Sequence, residues 1–587
     1  MKKKSIVFFL FLVEVVCQGQ HPQNIIREVV RIPMRDGITL GAICYRPDTQ
    51  GKFPAIVLRT PYDAAQDDTN MEFPRKAAKQ GYIVYFVDVR GRYTSEGEFS
   101  AYRNEKQDGY DVIEWVGESE YCNGKVGTYG ISYRGYVQWL AMSQSPPHLM
   151  AAAPENTPIT SHDFFYSGGA FSTAWLDWFM PSIFADKRRR AGDKSGPWDN
   201  PTARKQWENA DKRKWYRYRP LKDLPILKTY GPEYFEWLTH PDKDSWWDFA
   251  SVENDFSKMK APAFLISGWY DASYGPEGAT KGFNKMRAEA GTEVAREKTR
   301  LILGPWNHTW LNTRKTEFGE LDFGPSAGFD YDAELLSWFD GLLKDDPGSS
   351  NLPPVSIFVM GENKWRAEQE WPLSRAVPTA YHLQFDGQSG VLANDTPRGI
   401  SSQSYVFDPN NPFWDVSYLN SYPYDQRDNE SRKDVLVYTS DVLIDDLEVT
   451  GELMAELFVS TSAKDTDFSF TVSDVYTDGK SVNVSGLDAG YLRMRYRNGS
   501  SKQELVEPDK IYKITIGQVY TSILFKKGHR IRLAITSSKA PHYDPNPNTG
   551  NEIATETNLM PAKNTIHHSK KYPSKIILPI IPGRTTH

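Results

Sequence analysis

Three side chains that could act together as a nucleophile, a base and a carboxylate lie in separate segments of the chain. Ser132 stands in GKVGTYGISYRGYVQWLAM, residues 124–142, where a β-type run bracketed by glycines gives way to apolar residues at helical spacing. Asp271 follows the strand-like segment APAFLISG, and His308 follows TRLILG. A serine hydroxyl attacks a carbonyl only when a base removes its proton, and that base needs a carboxylate to orient it. The three residues therefore predict hydrolysis of an ester or amide by a Ser–His–Asp triad.

The glycines around Ser132 are those that a tight strand-to-helix turn requires. In α/β hydrolases such a turn projects the nucleophile from the carboxyl edge of a sheet. The pattern here is Gly130-x-Ser132-x-x-Gly135, with Arg134 where the G-x-S-x-G motif has its second glycine. A triplet of this kind arises by chance roughly 0.2 times in so long a chain, so its context matters more. The order Ser, Asp, His is that of this fold, and parallel strands end at one shared edge.

Each of the three residues also has a structural interpretation that involves no catalysis. Ser132 could cap the following helix, and Asp271 could cap a helix or close a turn. His308, between Trp306 and Trp310, could be an interior histidine with its hydrogen bonds satisfied. The joint appearance of all three at successive strand ends favours the catalytic interpretation.

An ester or amide hydrolase also needs donors for the oxyanion of its tetrahedral intermediate, and each donor contributes about 10² to 10³ in rate. The residue after the nucleophile, Tyr133, can give its backbone N–H. A second donor must come from a loop after an early strand, and AIVLRTPYD places Tyr62 there. Packing is the commoner role of a tyrosine, so position alone makes the Tyr62 hydroxyl a candidate.

The elements that would position these residues form an interrupted α/β pattern. From residue 26 to about 156, strand-like runs such as FPAIVLRT and YIVYFVDVR alternate with helical ones such as YDVIEWVGES, which is typical of a parallel sheet covered by helices. Residues 157–250 are rich in tryptophan and lack comparable strands, so we expect a helical cap inserted in the domain. The α/β pattern resumes with APAFLISG and TRLILG and ends with the amphipathic AELLSWFDGLLK.

After Pro353 the chain changes to short alternating strands separated by Gly, Asp, Asn and Pro, among them PPVSIFVMG, DFSFTVSDVY and HRIRLAITSS. Such strands predict a C-terminal all-β domain of the sandwich or jelly-roll type. We therefore expect an α/β-hydrolase domain with an inserted helical cap, followed by a β jelly roll. The predicted boundaries are 1–19 for a signal peptide, 20–156 and 251–347 for the catalytic domain, 157–250 for the cap and 348–587 for the jelly roll.

The N-terminus, MKKKSIVFFLFLVEVVCQGQ, predicts export, because three lysines precede an apolar run that Glu14 interrupts well short of the roughly 20 residues of a membrane span. We expect a secreted or periplasmic protein without an integral membrane segment; lipidation at Cys17 is the alternative. Cys44 and Cys122 could pair, but two small buried side chains are the simpler expectation. A net charge of −6 over 587 residues gives no positive electrostatic potential that would attract nucleic acid.

Ten segments together resemble the family of serine hydrolases that groups bacterial cocaine esterase, α-amino acid ester hydrolases, glutaryl-type cephalosporin acylases and Xaa-Pro dipeptidyl-peptidases. They are MRDGITL, RTPYD, DVRGRYTSEGEF, GKVGTYGISYRG, SGWYD, GPWNH, SWFDGLLK, MGENKWR, HRIRLAITSS and NPNTG. The resemblance implies the three-part architecture, the triad Ser132, Asp271 and His308, and an oxyanion hole made by the Tyr62 hydroxyl and the Tyr133 N–H. It implies no metal and no cofactor.

The chain departs from one branch of this family. α-Amino acid ester hydrolases hold a substrate ammonium with acidic residues soon after the triad aspartate, whereas Ala272, Ser273 and Tyr274 follow here. Glu155, Asp163 and Glu277 could substitute, although we expect surface or capping roles for them. An ammonium buried without carboxylates would lose its hydration uncompensated, so a neutral acyl group fits better.

The sequence thus predicts an exported serine hydrolase of small acyl esters, or amides, that works through an acyl-enzyme and has the potential to form a homo-oligomer. One alternative is an Xaa-Pro dipeptidyl-peptidase. Another is a carbohydrate-binding protein with a relic triad. Removal of acyl groups from polysaccharides is intermediate between that alternative and the predicted esterase.

Overall fold

The computed structural model describes residues 24–65, 72–271, 275–308, 315–346, 351–414, 423–486 and 489–583. The predicted signal peptide and Cys17 lie outside these ranges. Within them, no helix combines the length and the apolar character needed to cross a bilayer.

The first part of the chain supplies a mixed β-sheet whose central strands are parallel. Its strands are β1 (Ile25–Pro33), β2 (Thr39–Pro47), β3 (Phe53–Thr60), β4 (Ile83–Asp88), β5 (Cys122–Ile131) and β6 (Leu149–Glu155). The spatial order is β1-β2-β4-β3-β5-β6. Strands β4, β3, β5 and β6 are parallel, and β1 and β2 add antiparallel pairs at one edge. All six side chains of β4 are buried, as expected for a strand that helices cover on both faces.

The sheet continues after the insertion. Strands β9 (Phe264–Gly268), β10 (Arg300–Gly304) and β13 (Val355–Val359) are parallel neighbours, and β14 (Lys364–Glu368) pairs antiparallel with β13. A parallel bridge between Ala152 and Ala263 joins β6 to β9. The described helices of this domain are Phe73–Lys79, Glu105–Glu118, Tyr133–Met142, Gly275–Glu289, Glu293–Lys298 and Tyr331–Leu343. The α/β-hydrolase prediction is confirmed.

The insertion is mainly helical, as the sequence predicts. Its α-helices are Ser161–Phe165, Leu176–Trp178, Phe184–Ala191, Asn200–Glu208, Lys212–Tyr216 and Pro232–Leu238, with a π-helical turn at Phe179–Ile183 and short 3-10 helices at Thr173–Trp175, Leu221–Asp223, Pro225–Leu227 and Ser245–Ala250. The two-residue strands β7 (Tyr166–Ser167) and β8 (Ala170–Phe171) add a small hairpin. Aromatic rings form its core, and Phe165 stacks on Trp237 with 4.0 Å between the centroids.

The C-terminal domain is all-β, which confirms that part of the prediction. Its strands are β15 (Val377–Phe385), β16 (Gly390–Ala393), β17 (Ile400–Phe407), β18 (Leu436–Ser440), β19 (Leu447–Thr461), β20 (Asp467–Val475), β21 (Ser481–Asn483), β22 (Tyr491–Arg493), β23 (Tyr512–Phe525), β24 (Arg530–Thr536), β25 (Ala562–Ser569) and β26 (Lys575–Ile580). The path β17-β25-β19-β26-β15-β16-β18-β24-β20-β21 connects them, with β22 beside β20 and β23 beside β19. Short helices at Arg427–Glu430 and Met494–Tyr496 interrupt the strands. The finer assignment as a jelly roll stays a prediction.

One strand lies in a different sheet from the one that the sequence pattern indicates. PPVSIFVMG falls after the predicted boundary at residue 347, so the sequence pattern predicts that it belongs to the C-terminal domain. In the structure Val355–Val359 extends the catalytic sheet, because Leu301, Ile302 and Leu303 pair with it. The backbone of Met360 then pairs with Ser522 and Leu524 of the C-terminal domain, so the two domains share a continuous stretch of chain.

Cys44 and Cys122 are free thiols, 1% and 2% exposed. Burial raises the pKa of the Cys44 thiol to about 12. The interpretation of both as small buried side chains is confirmed, and they do not pair.

Candidate active site

Ser132 lies at a strained corner between strand β5 and helix Tyr133–Met142. Its φ of 65° and ψ of −126° are rarely adopted by a residue with a side chain, and such strain is typical of functional positions. The Ser132 N–H donates to the Glu155 carbonyl at 3.0 Å, and its own carbonyl accepts from Gly135 and Tyr136 at 2.9 and 2.8 Å. Neighbouring backbone therefore fixes this corner from both sides.

Ser132 occupies the N-cap position of that helix, yet its side chain makes no capping hydrogen bond. The N-cap interpretation is therefore correct for the position of this serine, but the hydroxyl does not act as a cap. The turn is supported instead by Gln138, whose amide Nε2 donates to the carbonyls of Gly130 and Arg134, both at 3.1 Å.

Gly135 explains why Arg134 is tolerated where the usual motif has glycine. A Cβ on Gly135 would lie 2.6 Å from the Glu155 carbonyl oxygen, so this glycine permits the close contact between the helix and β6. The guanidinium carbon of Arg134 lies 5.4 Å from the centroid of the Tyr62 ring. Compared with the G-x-S-x-G motif, the glycine that permits the close contact thus stands one position later, at 135 instead of 134.

Asp271 and His308 form a hydrogen-bonded pair at the same edge. Asp271 follows β9, His308 follows β10, and β5, β6, β9 and β10 are parallel neighbours in that order. The His308 Nδ1 lies 3.0 Å from Asp271 Oδ1. An ionised carboxylate can only accept, so Nδ1 carries the proton and Nε2 is left as the basic nitrogen. The pair has the arrangement that a triad requires of its base and carboxylate.

The second oxygen of the fully buried Asp271 is also held. The Asn156 Nδ2 donates to Asp271 Oδ2 at 2.5 Å, and the Asn156 N–H donates to the Ile266 carbonyl at 2.9 Å. Asn156 directly follows β6, so it reaches Asp271 from the adjacent strand end. Both carboxylate oxygens are therefore fixed, which restricts the orientation of the His308 ring.

Both domains hold the two residues before Asp271. The Trp269 indole N–H donates to the Phe358 carbonyl at 2.9 Å, and the Trp269 carbonyl accepts from Gly486 at 2.8 Å. The Tyr270 hydroxyl donates to the Asn483 carbonyl at 3.1 Å. Asp271 thus stands on backbone that both domains hold.

Tyr62 lies two residues beyond β3, the parallel neighbour of β5. Its loop is held by Asp88 at the end of β4, whose Oδ1 accepts from the Ala64 N–H at 2.7 Å. The buried Arg92 also donates from Nε to the Pro61 carbonyl at 2.8 Å. Burial raises the pKa of Asp88 to about 6. The structure brings Tyr62 to the strand edge at which Ser132 also lies.

A buried polar network locks the side chain of Tyr133. The Tyr133 hydroxyl donates to Glu105 Oε1 at 2.8 Å and accepts from the Tyr102 N–H at 3.1 Å. The guanidinium of Arg59 pairs with the other oxygen of Glu105. Burial raises the pKa of the Glu105 carboxyl, against the lowering effect of Arg59. With its ring fixed, Tyr133 presents its backbone N–H in one orientation.

The three carboxylates considered as partners for a substrate ammonium already lie beside cationic side chains. Asp163 accepts from Lys243 Nζ at 3.1 Å, and Glu277 pairs with Lys281. Glu155 is 1% exposed, so the expected surface or capping role is wrong for it. Burial raises its pKa well above the usual range, and Arg134 is the cation that opposes this shift.

The sequence did not single out several residues that support the site: Arg59, Arg92, Glu105, Asn156 and Trp178. The apolar run LMAAAP could have pointed to Asn156, because Asn156 directly follows β6 in the way that Asp271 and His308 follow β9 and β10. Trp178 lies among the tryptophans of the insertion without a distinguishing pattern. In the described part of the chain, no group of three His, Cys, Asp or Glu side chains has the arrangement of a metal site.

Two family models match the chain. The X-Pro dipeptidyl-peptidase (S15 family) model matches residues 36–310, and the X-Pro dipeptidyl-peptidase C-terminal non-catalytic domain matches residues 347–577. Cocaine esterase of Rhodococcus sp. is 33% identical over 584 residues, which cover 94% of this chain and 98% of that protein. A putative serine esterase of Mycobacterium bovis is 26% identical, with 94% of both chains covered.

Solved structures share the fold over almost the whole length. An α-amino acid ester hydrolase superposes with a TM-score of 0.82 at 25% identity, covering 96% of this chain and 97% of its own. An aminopeptidase from a marine sediment archaeon superposes with a TM-score of 0.79 at 23% identity, with 99% of each chain covered.

Proposed function

The chain belongs to the family of cocaine esterase, which is 33% identical over 94% of this chain, and it carries the S15 and C-terminal domains of X-Pro dipeptidyl-peptidases. We propose that it cleaves small acyl esters through an acyl-Ser132 intermediate. The protein is a hydrolase. The roles of its individual residues, the acyl-enzyme and the export of the protein are the parts that we propose.

In the proposed reaction His308 Nε2 takes the proton of the Ser132 hydroxyl as Oγ attacks the ester carbonyl. The Tyr62 hydroxyl and the Tyr133 N–H donate to the oxygen that becomes negative, and Asp271 stabilises the imidazolium. The tetrahedral intermediate collapses when the imidazolium gives its proton to the alcohol that leaves. Water then attacks the acyl-Ser132 ester with His308 as base, which releases the acid and restores the serine.

One observation carries this proposal: the strained turn at Ser132 lies at the same sheet edge as the pair His308–Asp271, whose atoms Nδ1 and Oδ1 are 3.0 Å apart. A structural serine has no need of a positive φ, and a structural histidine has no need of a fully buried carboxylate held by Asn156. The two arrangements together match the requirements of nucleophilic catalysis.

For the acyl group, the cationic neighbours of Asp163, Glu155 and Glu277 favour a substrate without an ammonium beside the carbonyl. The descriptions of the two family models favour a second candidate, an Xaa-Pro dipeptidyl-peptidase. That activity needs an anion near the scissile bond for the peptide N-terminus. Comparing kcat/KM for proline-dipeptide anilides with kcat/KM for aryl esters separates the two, and a strong preference for the anilide would refute the esterase assignment.

The decisive experiment combines labelling by a fluorophosphonate probe with hydrolysis of 4-nitrophenyl esters of graded chain length. We expect the wild type to be labelled and active, and Ser132→Ala to lose both properties while keeping its fold. An unlabelled wild type that binds glycans as well as its Ser132→Ala variant would support the carbohydrate-binding alternative. Fractionation of cells that produce the full chain tests the proposed secreted or periplasmic location, including the lipoprotein alternative at Cys17.

A further inference from the structure

Trp178, in the cap, lies against the side chains of Tyr62 and Tyr133, the two residues that supply the proposed oxyanion donors. Its indole Nε1–H donates to the Tyr62 hydroxyl oxygen at 2.9 Å. Its ring lies nearly parallel to that of Tyr133, with an interplanar angle of 13° and 6.1 Å between the centroids. A residue of the insertion therefore joins the Tyr62 loop, which follows β3, to the helix Tyr133–Met142, which follows β5.

The hydrogen bond from Trp178 has a chemical consequence for Tyr62. A phenol oxygen carries one proton to donate and can also accept. When an N–H occupies the accepting side, the O–H dipole is oriented away from that donor, and hydrogen bonds in such a chain strengthen one another. The Tyr62 hydroxyl that accepts from Trp178 is thus a better oriented and stronger donor to an oxyanion.

Trp178 is held firmly enough for this role by the residue before it. The buried Asp177 carboxylate accepts from Trp207 Nε1 at 2.5 Å and from Lys212 Nζ at 2.8 Å, and it pairs with the Tyr216 hydroxyl. These partners come from two other helices of the cap. Three donors on one carboxylate fix the short helix Leu176–Trp178, in which Trp178 lies.

Arg92 connects the π-helical turn that follows Trp178 to the Tyr62 loop. Its guanidinium is fully buried; Nε donates to the Pro61 carbonyl at 2.8 Å, Nη1 to Ile183 at 2.9 Å and Nη2 to Ser182 at 3.0 Å. Ser182 and Ile183 end the π-helical turn Phe179–Ile183 that follows Trp178, and such turns are frequent at functional sites. One cation thus sets the spacing between the indole and the phenol.

We infer that Trp178 is a positioning residue for oxyanion stabilisation: its indole N–H orients and polarises the Tyr62 hydroxyl, so that the helical cap completes the oxyanion hole. This inference rests on the proposed function. It differs from a role as a hydrophobic wall for the acyl group, because a wall acts through contact with the substrate and changes KM, whereas the inferred role acts through Tyr62 and changes kcat.

A double-mutant cycle tests the inference. The variants are Trp178→Phe, Tyr62→Phe and the double variant, assayed for kcat and KM on 4-nitrophenyl esters. Trp175→Phe is the matched control, because Trp175 is buried in the same segment and its indole N–H has no hydrogen-bond acceptor among the described residues. Thermal unfolding of every variant verifies that it is folded.

We expect Tyr62→Phe to lower kcat by about 10² to 10³ and Trp178→Phe to lower it roughly tenfold, with KM changed by less than about threefold. In the Tyr62→Phe background, Trp178→Phe should have almost no further effect, because the group through which it acts is gone. Trp175→Phe should retain wild-type kcat.

Independent, multiplicative losses in the double variant would overturn the inference, as would an effect of Trp178→Phe confined to KM or equalled by Trp175→Phe. Full activity in Trp178→Phe beside an inactive Ser132→Ala would overturn the inference and leave the proposed function standing. Activity retained in Ser132→Ala would overturn both.

Discussion

Replacing Glu105 by glutamine should destabilise the protein far more than a change of one surface carboxylate. Glu105 and Arg59 are 3% and 4% exposed. The Arg59 guanidinium pairs with Glu105 Oε2, and its Nη1 donates to the Glu105 carbonyl at 3.1 Å. In Glu105→Gln the amide can still accept from the Tyr133 hydroxyl, but the Arg59 cation stays buried without the carboxylate that neutralises it.

The expected magnitude follows from burial. Removing one partner of a buried ion pair costs about 3–5 kcal/mol of unfolding free energy, whereas an exposed pair contributes about 1 kcal/mol or less. The Asp108 carboxylate, whose charge raises the pKa of Glu105, does not replace Glu105 as a partner of Arg59, because it pairs with Arg90 at 2.6 Å. We therefore expect a loss of about 3 kcal/mol.

Urea unfolding followed by tryptophan fluorescence measures this loss. The matched control is Glu236→Gln, because the pair Arg103–Glu236 has side chains that are 36% and 46% exposed and should contribute less than about 1 kcal/mol. The double variant Arg59→Met/Glu105→Gln should be more stable than Glu105→Gln alone, since it buries no unpaired charge. If Glu105→Gln unfolds at the same urea concentration as Glu236→Gln, the reasoning from burial is refuted.

Two further predictions concern catalysis and pH. Asn156→Leu removes the amide that donates to Asp271 Oδ2, and we expect kcat/KM to fall about 10- to 100-fold because a hydrogen bond to a charged group contributes about 1.5–3 kcal/mol; an unchanged value would show that the second oxygen needs no donor. His542 is buried, and its burial lowers its pKa from 6.5 to about 3. Between about pH 6.5 and pH 3, His542 is therefore protonated in the unfolded chain and neutral in the folded chain. Folding stability is lost as the pH falls through this window. The melting temperature of His542→Gln should accordingly decline less between pH 6.5 and pH 4 than that of the wild type, and parallel curves would contradict the assignment.

The sequence predicted the residues that follow strands, because parallel strands place their carboxyl ends at a common edge. Ser132, Asp271, His308 and Tyr62 were found in this way, and their placement in the structure agrees with the expected geometry, while their catalytic roles stay a prediction. The rule needs only the type and order of elements, which apolar runs and glycines signal locally.

Features that depend on pairing between distant elements could not be predicted. The strand Val355–Val359 reads as one of many short β runs, and nothing in its residues indicates that it joins β10 instead of the C-terminal strands. Glu155 is of a residue type that is usually found at the surface, and its neighbour Arg134 lies on another element. The contact of Trp178 with Tyr62 joins the cap to a loop 116 positions away in the sequence. Local sequence patterns do not indicate contacts between residues so far apart.

The stretch of chain around Met360, which pairs with both domains, restricts where recombination could divide the gene of this protein. Its catalytic sheet ends in two strands that lie beyond residue 347, where the second family model begins. A recombination event at that junction would remove the neighbour of β10 on one side, since Leu301–Leu303 pair there with β13. It would also remove the Phe358 carbonyl that accepts from Trp269, two positions before Asp271. Both halves of the gene therefore encode contacts that hold the backbone before Asp271, the proposed triad carboxylate.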